Sequence, residues 1–361
     1  MEKYIPGIGV VAGSLMLKWN LLDQHVHNHP INIQPGDEVN VFINFESVLR
    51  NLGNQKGLTS AVSFHKQKIV IELESAIINL AASYKMYFHK ENCRPKIYFY
   101  HTDLGNDNIQ EMKEYNKYYR SYYHNRYMNN PQFRLMGDVM NRIIIPEVEL
   151  ILSYVPDVYF IKTKTFDGSI IPNMISTFSS AKNVIITGDV FDTLYMFNPN
   201  FMTIYIKRRY QQFNVYSDVD SVIQSIVKEV SPFDLTIFHS EMYFRLLLSI
   251  KGSKIRNIRS AKGFGYPKFA AILKRGLDNG IVLRDFESIE SIIELFPESY
   301  RLDIKNAFKC TSIETQYTLT NEMDEEYIKS QIIDKVDMES LEALNNRRFL
   351  DFPINLSGLL S

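Results

Sequence analysis

The feature that most restricts the fold of this chain is a series of short β-branched and aromatic runs, each separated from the next by a longer spacer. The runs are Val39–Asn44 (VNVFIN), Lys96–Tyr100 (KIYFY), Val158–Ile161 (VYFI), Val184–Thr187 (VIIT) and Thr203–Lys207 (TIYIK). Apolar runs of this length, bounded by turn residues, read as buried strands. Between the first two, Val62–Lys90 contains no Gly or Pro and places Ile69, Ile71, Leu73, Ile77, Ile78 and Leu80 along one long helix. Arg134–Val155 reads as a further helix bent near Pro146, and Ser169–Ser180 as a short one whose start Pro172 delays. Strands alternating with helices predict an α/β fold with a mostly parallel central sheet and flanking helices. From Val219 onward the pattern becomes helical, through Asp220–Val230, His239–Ile250, Phe269–Gly276, Asp285–Phe296, Glu298–Phe308 and Glu325–Leu344. The expected organisation is an N-terminal arm at 1–38, an α/β domain at 39–218 and a helical region at 219–361.

Composition removes several classes of function. With 40 basic against 41 acidic residues the net charge is −1, which excludes a globally basic nucleic-acid binder but allows local basic patches. At 45% hydrophobic and 22% charged residues, the chain has the means to build a large core and is not disordered throughout. Cys93 and Cys310 are too few for a disulfide framework or a four-thiolate zinc site. Apolar stretches such as Ile143–Ile145 and Leu246–Ile250 are far shorter than a membrane span, and no long apolar segment follows the early Lys3, so neither membrane insertion nor a signal peptide is expected. The expected location is an intracellular, reducing compartment.

Four constellations have chemical potential. Lys251–Arg275 holds eight basic residues and no acid: Lys251, Lys254, Arg256, Arg259, Lys262, Lys268, Lys274 and Arg275. Gly263 and Gly265 sit at its centre, before a helix, where glycine lets backbone approach a phosphate and helix N–H groups attract anions. This reads either as a grip on nucleic-acid backbone or as a solvated turn. A second cluster, KEYNKYYRSYYHNRY, interleaves Lys113, Lys117, Arg120 and Arg126 with six tyrosines. Aromatics offer stacking faces while cations track phosphates, although a tyrosine stripe packed on the sheet fits equally. Third, Asp189 and Asp192 follow the run ending at Thr187, and carboxylates beyond a parallel strand suit Mg²⁺ or an Asx-capped turn. Finally, His25, His27 and His29 alternate, but no fourth zinc ligand is nearby and Pro30 breaks the run.

In order, these pieces resemble the flap-endonuclease superfamily, most closely its phage 5′-to-3′ exonuclease branch, the phage ribonuclease H type. The resemblance covers roughly Val39 to Leu360. VFINFES (41–47) and KIYFYHTD (96–103) are similar to the first two strands, which in the family end in metal-binding Asp residues. The Tyr/Lys/Arg segment, within a helix at about 106–127, is similar to the arch that threads a 5′ end. VIITGDVFDTL (184–194) is similar to the element that supplies two Asp residues, and IKGSKIRNI with SAKGFGYPKFAAIL (250–273) to the helix–turn–helix that grips a duplex. NNRRFLDFPINL (345–356) has the character of the phage branch.

What the resemblance implies is a PIN-like 5′-nuclease fold with a depleted metal site. A two-metal nuclease needs a dense acidic cluster around ions about 3.5–4 Å apart. Here the first strand ends at Asn44, the second at His101 unless the register brings in Asp103, and the acidic tetrad becomes Thr165-Phe166-Asp167-Gly168. Asp189 is kept, but Asp192 is one residue late and is expected to point elsewhere. Ser253 and Arg256 replace two further acids, and Arg256 brings a permanent cation. Asp103, Asp167 and Asp189 are the surviving candidate ligands, with Asp167 and Asp189 the residual catalytic acids. The expected nucleic-acid contacts are Lys113, Lys117, Arg120, Arg126, Lys254, Arg256, Lys262, Gly263, Gly265 and Lys268. No cofactor is expected, with Mg²⁺ or Mn²⁺ entering only if the residual acids still bind metal. The leading expectation is a degenerate 5′-nuclease-like phage or virus protein that binds duplex or branched DNA or serves in a virion, with 1–38 as a docking arm for a protein. The alternative is an active Mg²⁺-dependent 5′ nuclease with a rearranged site.

Overall fold

Each apolar run forms a strand of one sheet. The computed structural model describes residues 26, 31–45, 47, 66–102, 145–153, 155–163, 166–209, 212–227, 235–252, 261, 265–284, 286–313, 317 and 320–332. Strands β1 (Glu38–Asn44), β2 (Arg94–Thr102), β3 (Val158–Thr163), β4 (Lys182–Thr187) and β5 (Phe201–Arg209) lie parallel in the order β3-β2-β1-β4-β5. A further strand, β6 (Gln212–Tyr216), pairs antiparallel with β5 at the edge. The sequence pattern gives no hint of β6, because QFNVY is short and mixes polar with apolar residues.

Alternate side chains of the parallel strands feed two cores. Val39, Val41, Ile43, Ile97, Phe99, Val158, Phe160, Val184 and Ile186 share a core with Ile77, Ile78 and Phe88 of α1 (Lys66–Lys90) and Val148 and Leu152 of α2 (Ile145–Leu152). Phe42, Tyr98, Tyr100, Tyr159, Ile161 and Ile185 share the other with Met174 and Ile175 of α3 (Ile171–Thr177). Burial on both faces is why these strands read as unbroken apolar runs. Ile31 and Ile33, from the end of the segment set apart in sequence as an arm, are buried in the first core. Residues 1–25 and 27–30 of that segment, which include His25, His27 and His29, and the arch region at 106–127 lie outside the described residues.

The later helices form a third core. They are α4 (Val219–Ile226), α5 (Glu241–Lys251), α6 (Tyr266–Asp278), α7 (Phe286–Ile293) and α8 (Glu298–Lys309), followed by α9 (Glu322–Ser330). Phe244, Leu248, Phe269, Leu273, Ile292, Phe296 and Phe308 fill this core, which meets the sheet through Tyr205 and the 3-10 turn after β4. Arg245 is buried within it, with Nε donating to Thr311 Oγ1 at 3.1 Å, Nη2 to the Phe308 carbonyl at 3.4 Å, and its guanidinium 4.3 Å from the Phe308 ring centre. α9 instead packs Ile328 onto the α3 face, and just beyond it Gln331 docks on the exposed edge of β3. Its side-chain oxygen accepts from Lys162 N at 2.9 Å and its amide donates to Lys162 O at 3.0 Å. One side chain thereby imitates a rung of a neighbouring strand and shields an edge that would otherwise template pairing.

Lys85 of α1 is buried against the loop before β3, where its ammonium donates to the Pro156 carbonyl at 3.1 Å. Desolvation holds this amine below the ordinary lysine value, with the Asp157 charge acting in opposition. The unfolded chain then binds more protons than the folded one between the lowered value and the ordinary 10.5. The Lys85 contribution to stability is therefore expected to rise with pH across that window. Urea midpoints at pH 8 and 9.5, taken against Lys85→Met, check this; a difference between the two proteins that does not change with pH would contradict it.

Candidate functional site

The strand order reverses direction next to β1. The chain runs from β1 outward to β2 and β3, then crosses back to place β4 and β5 on the other side. In open parallel sheets such a switch point leaves a crevice beyond the C-terminal strand ends, which is where ligands of these folds bind. Here that crevice lies between Asn44 at the end of β1 and Thr187 at the end of β4. It is occupied by a carboxylate network.

Asp192 is at its centre, with no exposed surface. Its Oδ2 atom accepts from Asn44 Nδ2 at 2.6 Å, Thr187 Oγ1 at 2.7 Å and Tyr100 Oη at 2.8 Å. One oxygen thus joins β1, β2 and β4. Three hydrogen bonds converging on one buried oxygen make this knot a substantial local restraint. A second layer fixes the donors. Asn44 Oδ1 accepts from Ser47 N at 2.9 Å, which leaves its Nδ2 as the atom facing Asp192. Ser47 Oγ donates to the Asn44 carbonyl at 2.9 Å and accepts from Gly188 N at 2.9 Å, tying the turn after β1 to the turn after β4. Thr187 Oγ1, while donating to Asp192, accepts from Asp189 N at 2.9 Å.

The 3-10 turn Val190–Phe197 explains how Asp192 arrives here. In a 3-10 turn, residues three apart lie on the same side, so Asp192 follows its cap Asp189 back toward the strand ends. The expectation that Asp192 points elsewhere is therefore corrected. Asp189 is also buried, but its Oδ1 accepts from Phe191 N at 3.1 Å in the Asx-capped turn weighed as the alternative. Its charge also acts on β5: burial first, then the Asp189 carboxylate and Tyr216, push the Tyr205 hydroxyl well above the ordinary tyrosine range.

The register of β2 is corrected as well. His101 is directed to the α1 side of the sheet, with its ring 5.8 Å from Phe45 and 6.2 Å from Phe160. The residue that reaches the crevice is Tyr100. Sequence reasoning misses it because both faces of β2 are apolar or aromatic, leaving no polar alternation to reveal which side faces the acid. Asp103 lies outside the described residues. Asp167 caps a separate 3-10 turn, Gly168–Ile170, by accepting from Ser169 N at 2.9 Å, while Gly168 N donates to Thr102 Oγ1 at 2.8 Å.

A divalent cation such as Mg²⁺ needs a shell of oxygen ligands with free lone pairs. The crevice does not present one. Asn44 offers N–H instead of oxygen, Asp192 Oδ2 already takes three protein donors, and Asp167 and Asp189 are caps of two different turns. Among the described residues, no group of three or more His, Cys, Asp and Glu side chains is placed to hold a metal ion. Among the described residues, Asn44, Asp167, Asp189 and Asp192 do not fit the two-metal centre of the family this sequence resembles.

Of the expected nucleic-acid contacts, Gly265 and Lys268 are described. Gly265 is exposed at the start of α6, and a Cβ there would meet only Pro267 Cδ at 3.6 Å, so the chain itself does not require glycine. Lys268, Lys274 and Arg275 are exposed on the same helix, whose Phe269, Ala270 and Leu273 face inward. Lys113, Lys117, Arg120, Arg126, Lys254, Arg256, Lys262 and Gly263 lie outside the described residues.

No family model and no curated protein matches the chain. Among solved structures, it is similar to a bacteriophage T5 flap endonuclease variant determined as a pseudo-enzyme–product complex with DNA and metal ions. That likeness has a TM-score of 0.48 and 9% identity, covering 81% of this chain and 98% of that one. It is also similar to T5 5′-exonuclease with zinc ions bound, at a TM-score of 0.48 and 10% identity, over 81% and 98% of the two chains.

Proposed function

We propose that this chain is a 5′-nuclease-like protein whose catalytic crevice is closed by hydrogen bonds and whose basic elements bind nucleic-acid backbone without cutting it. The observation that carries this reading is the Asn44–Asp192 contact at 2.6 Å, with the amide orientation fixed by Ser47 N. An acid at the switch point is held by neutral donors from three strands, an arrangement suited to rigidity and unsuited to two-metal displacement. Exposed Lys268, Lys274 and Arg275 beside Gly265 support a sequence-independent phosphate contact. The closed crevice also supports reuse of the fold in a virion or assembly, in which case neither binding nor cleavage of DNA is expected.

A titration on a labelled duplex with a 5′ flap, in Mg²⁺ or Mn²⁺, tests the proposal. The expected result is a gel shift with intact substrate. Replacing Lys262 and Lys268 by Gln is expected to weaken binding. It is also expected to flatten the salt dependence, by roughly one logarithmic unit of slope for each phosphate that is no longer neutralised. Cleavage that disappears on Asp189→Asn would instead establish an enzyme with a rearranged site.

A further inference from the structure

We propose that Asn44 is the residue that keeps divalent cations out of the switch-point crevice, its amide standing where a cation would otherwise be needed to balance Asp192. The inference rests on the closed-crevice reading above and not on DNA binding.

The geometry that carries it is local. Asp192 has no exposed surface, so its carboxylate must be matched from within the protein. Among the described residues, Asn44, Thr187 and Tyr100 contribute to this, and Asn44 is the closest of the three at 2.6 Å. Its amide cannot turn its oxygen inward without abandoning Ser47 N, which Oδ1 holds at 2.9 Å. Thr187 and Tyr100 are hydroxyls, able to present oxygen as well as hydrogen to whatever lies beside Asp192. Asn44 is therefore the one donor of the three whose facing atom can never act as a ligand. Asp is the same shape as Asn, with oxygen in place of the NH₂ group. Asn44→Asp keeps the acceptor for Ser47 N and sets a second carboxylate oxygen against Asp192 Oδ2. Two carboxylates at such a distance do not both remain ionised unless a cation lies between them; without one, a proton is taken up and shared by the pair. With the Thr187 and Tyr100 oxygens alongside, the site becomes an all-oxygen one of the kind that takes Mg²⁺ or Mn²⁺.

The test is thermal unfolding of the full chain in EDTA, in MgCl₂ and in MnCl₂, for the natural sequence, Asn44→Asp, and Asn44→Asp combined with Asp192→Asn. The natural protein is expected to melt within about 1 °C in all three conditions, because a cation binding neither folded nor unfolded chain leaves the midpoint unmoved. Asn44→Asp is expected to lose about 8 °C in EDTA and to regain at least half of it in Mn²⁺ or Mg²⁺. The double variant exchanges the charge and the amide, but Thr187 and Tyr100 then face an amide nitrogen at position 192 in place of the oxygen all three donors shared, so it is expected to recover only part of the loss and to ignore metal. If the single variant folds only when purified with Mn²⁺, the proposal holds; if no cation restores it, the proposal fails. It also fails if the natural protein is stabilised by metal, or if the double variant is as unstable as the single one. DNA binding is read separately, so its absence would remove the proposed function without altering these melts.

Discussion

Asp192→Ala is expected to destabilise the protein by about 4 kcal/mol, the largest loss of any single substitution at the crevice. The change strips the common acceptor from Asn44 Nδ2, Thr187 Oγ1 and Tyr100 Oη at once. Each buried donor left without a partner costs about 1–3 kcal/mol, and water entering the space left by the carboxylate recovers part of the total. Asp192→Asn keeps the shape and one accepting oxygen, and is expected to cost only about 1–2 kcal/mol. Urea unfolding monitored by circular dichroism measures both. A loss below about 1 kcal/mol for Asp192→Ala would mean that the network does not hold the strand ends together.

Gly168→Ala is expected to cost about 3 kcal/mol, for a reason unrelated to backbone dihedrals. A Cβ at this position would lie 2.9 Å from the His101 carbonyl carbon, 3.0 Å from Thr102 N and 3.0 Å from Thr102 Oγ1. Two of those atoms are backbone of β2 and cannot step aside as a flexible side-chain tip would. Relief requires the turn to lift away from the strand, which stretches the Gly168 N to Thr102 Oγ1 bond of 2.8 Å and disturbs the adjacent Asp167 cap. Overpacking of this kind costs about 1–3 kcal/mol, and the weakened hydrogen bond adds about 1 kcal/mol. Undiminished stability in Gly168→Ala, again by urea unfolding, would show that the packing is looser than these distances imply.

The strands are legible in the sequence because a parallel sheet covered on both faces leaves continuous apolar runs, and α1 because no Gly or Pro interrupts it. The edge strand β6 carries no such signature. At the crevice, residue types are legible but directions are not. Asn44 is visible in sequence as a neutral residue ending the first strand. That its nitrogen faces inward depends on Ser47 N, a backbone interaction with no sequence signature. Asp192 looks misplaced when its offset from Asp189 is judged against a two-residue spacing. A 3-10 turn, in which three residues make a full revolution, gives the opposite answer. Tyr100 and His101 illustrate the same limit: in a strand with two apolar faces, alternation cannot say which neighbour reaches the acid.

Three protein donors, Asn44 Nδ2, Thr187 Oγ1 and Tyr100 Oη, face Asp192 Oδ2. A Mn²⁺ titration of the natural protein, followed by electron paramagnetic resonance, checks this at the crevice itself. The free-ion signal is expected to grow in proportion to added Mn²⁺, with no stoichiometric loss that depends on Asp189 or Asp192. Stoichiometric uptake of Mn²⁺ that disappears in Asp192→Asn or Asp189→Asn would contradict the closed crevice and restore it as a metal centre.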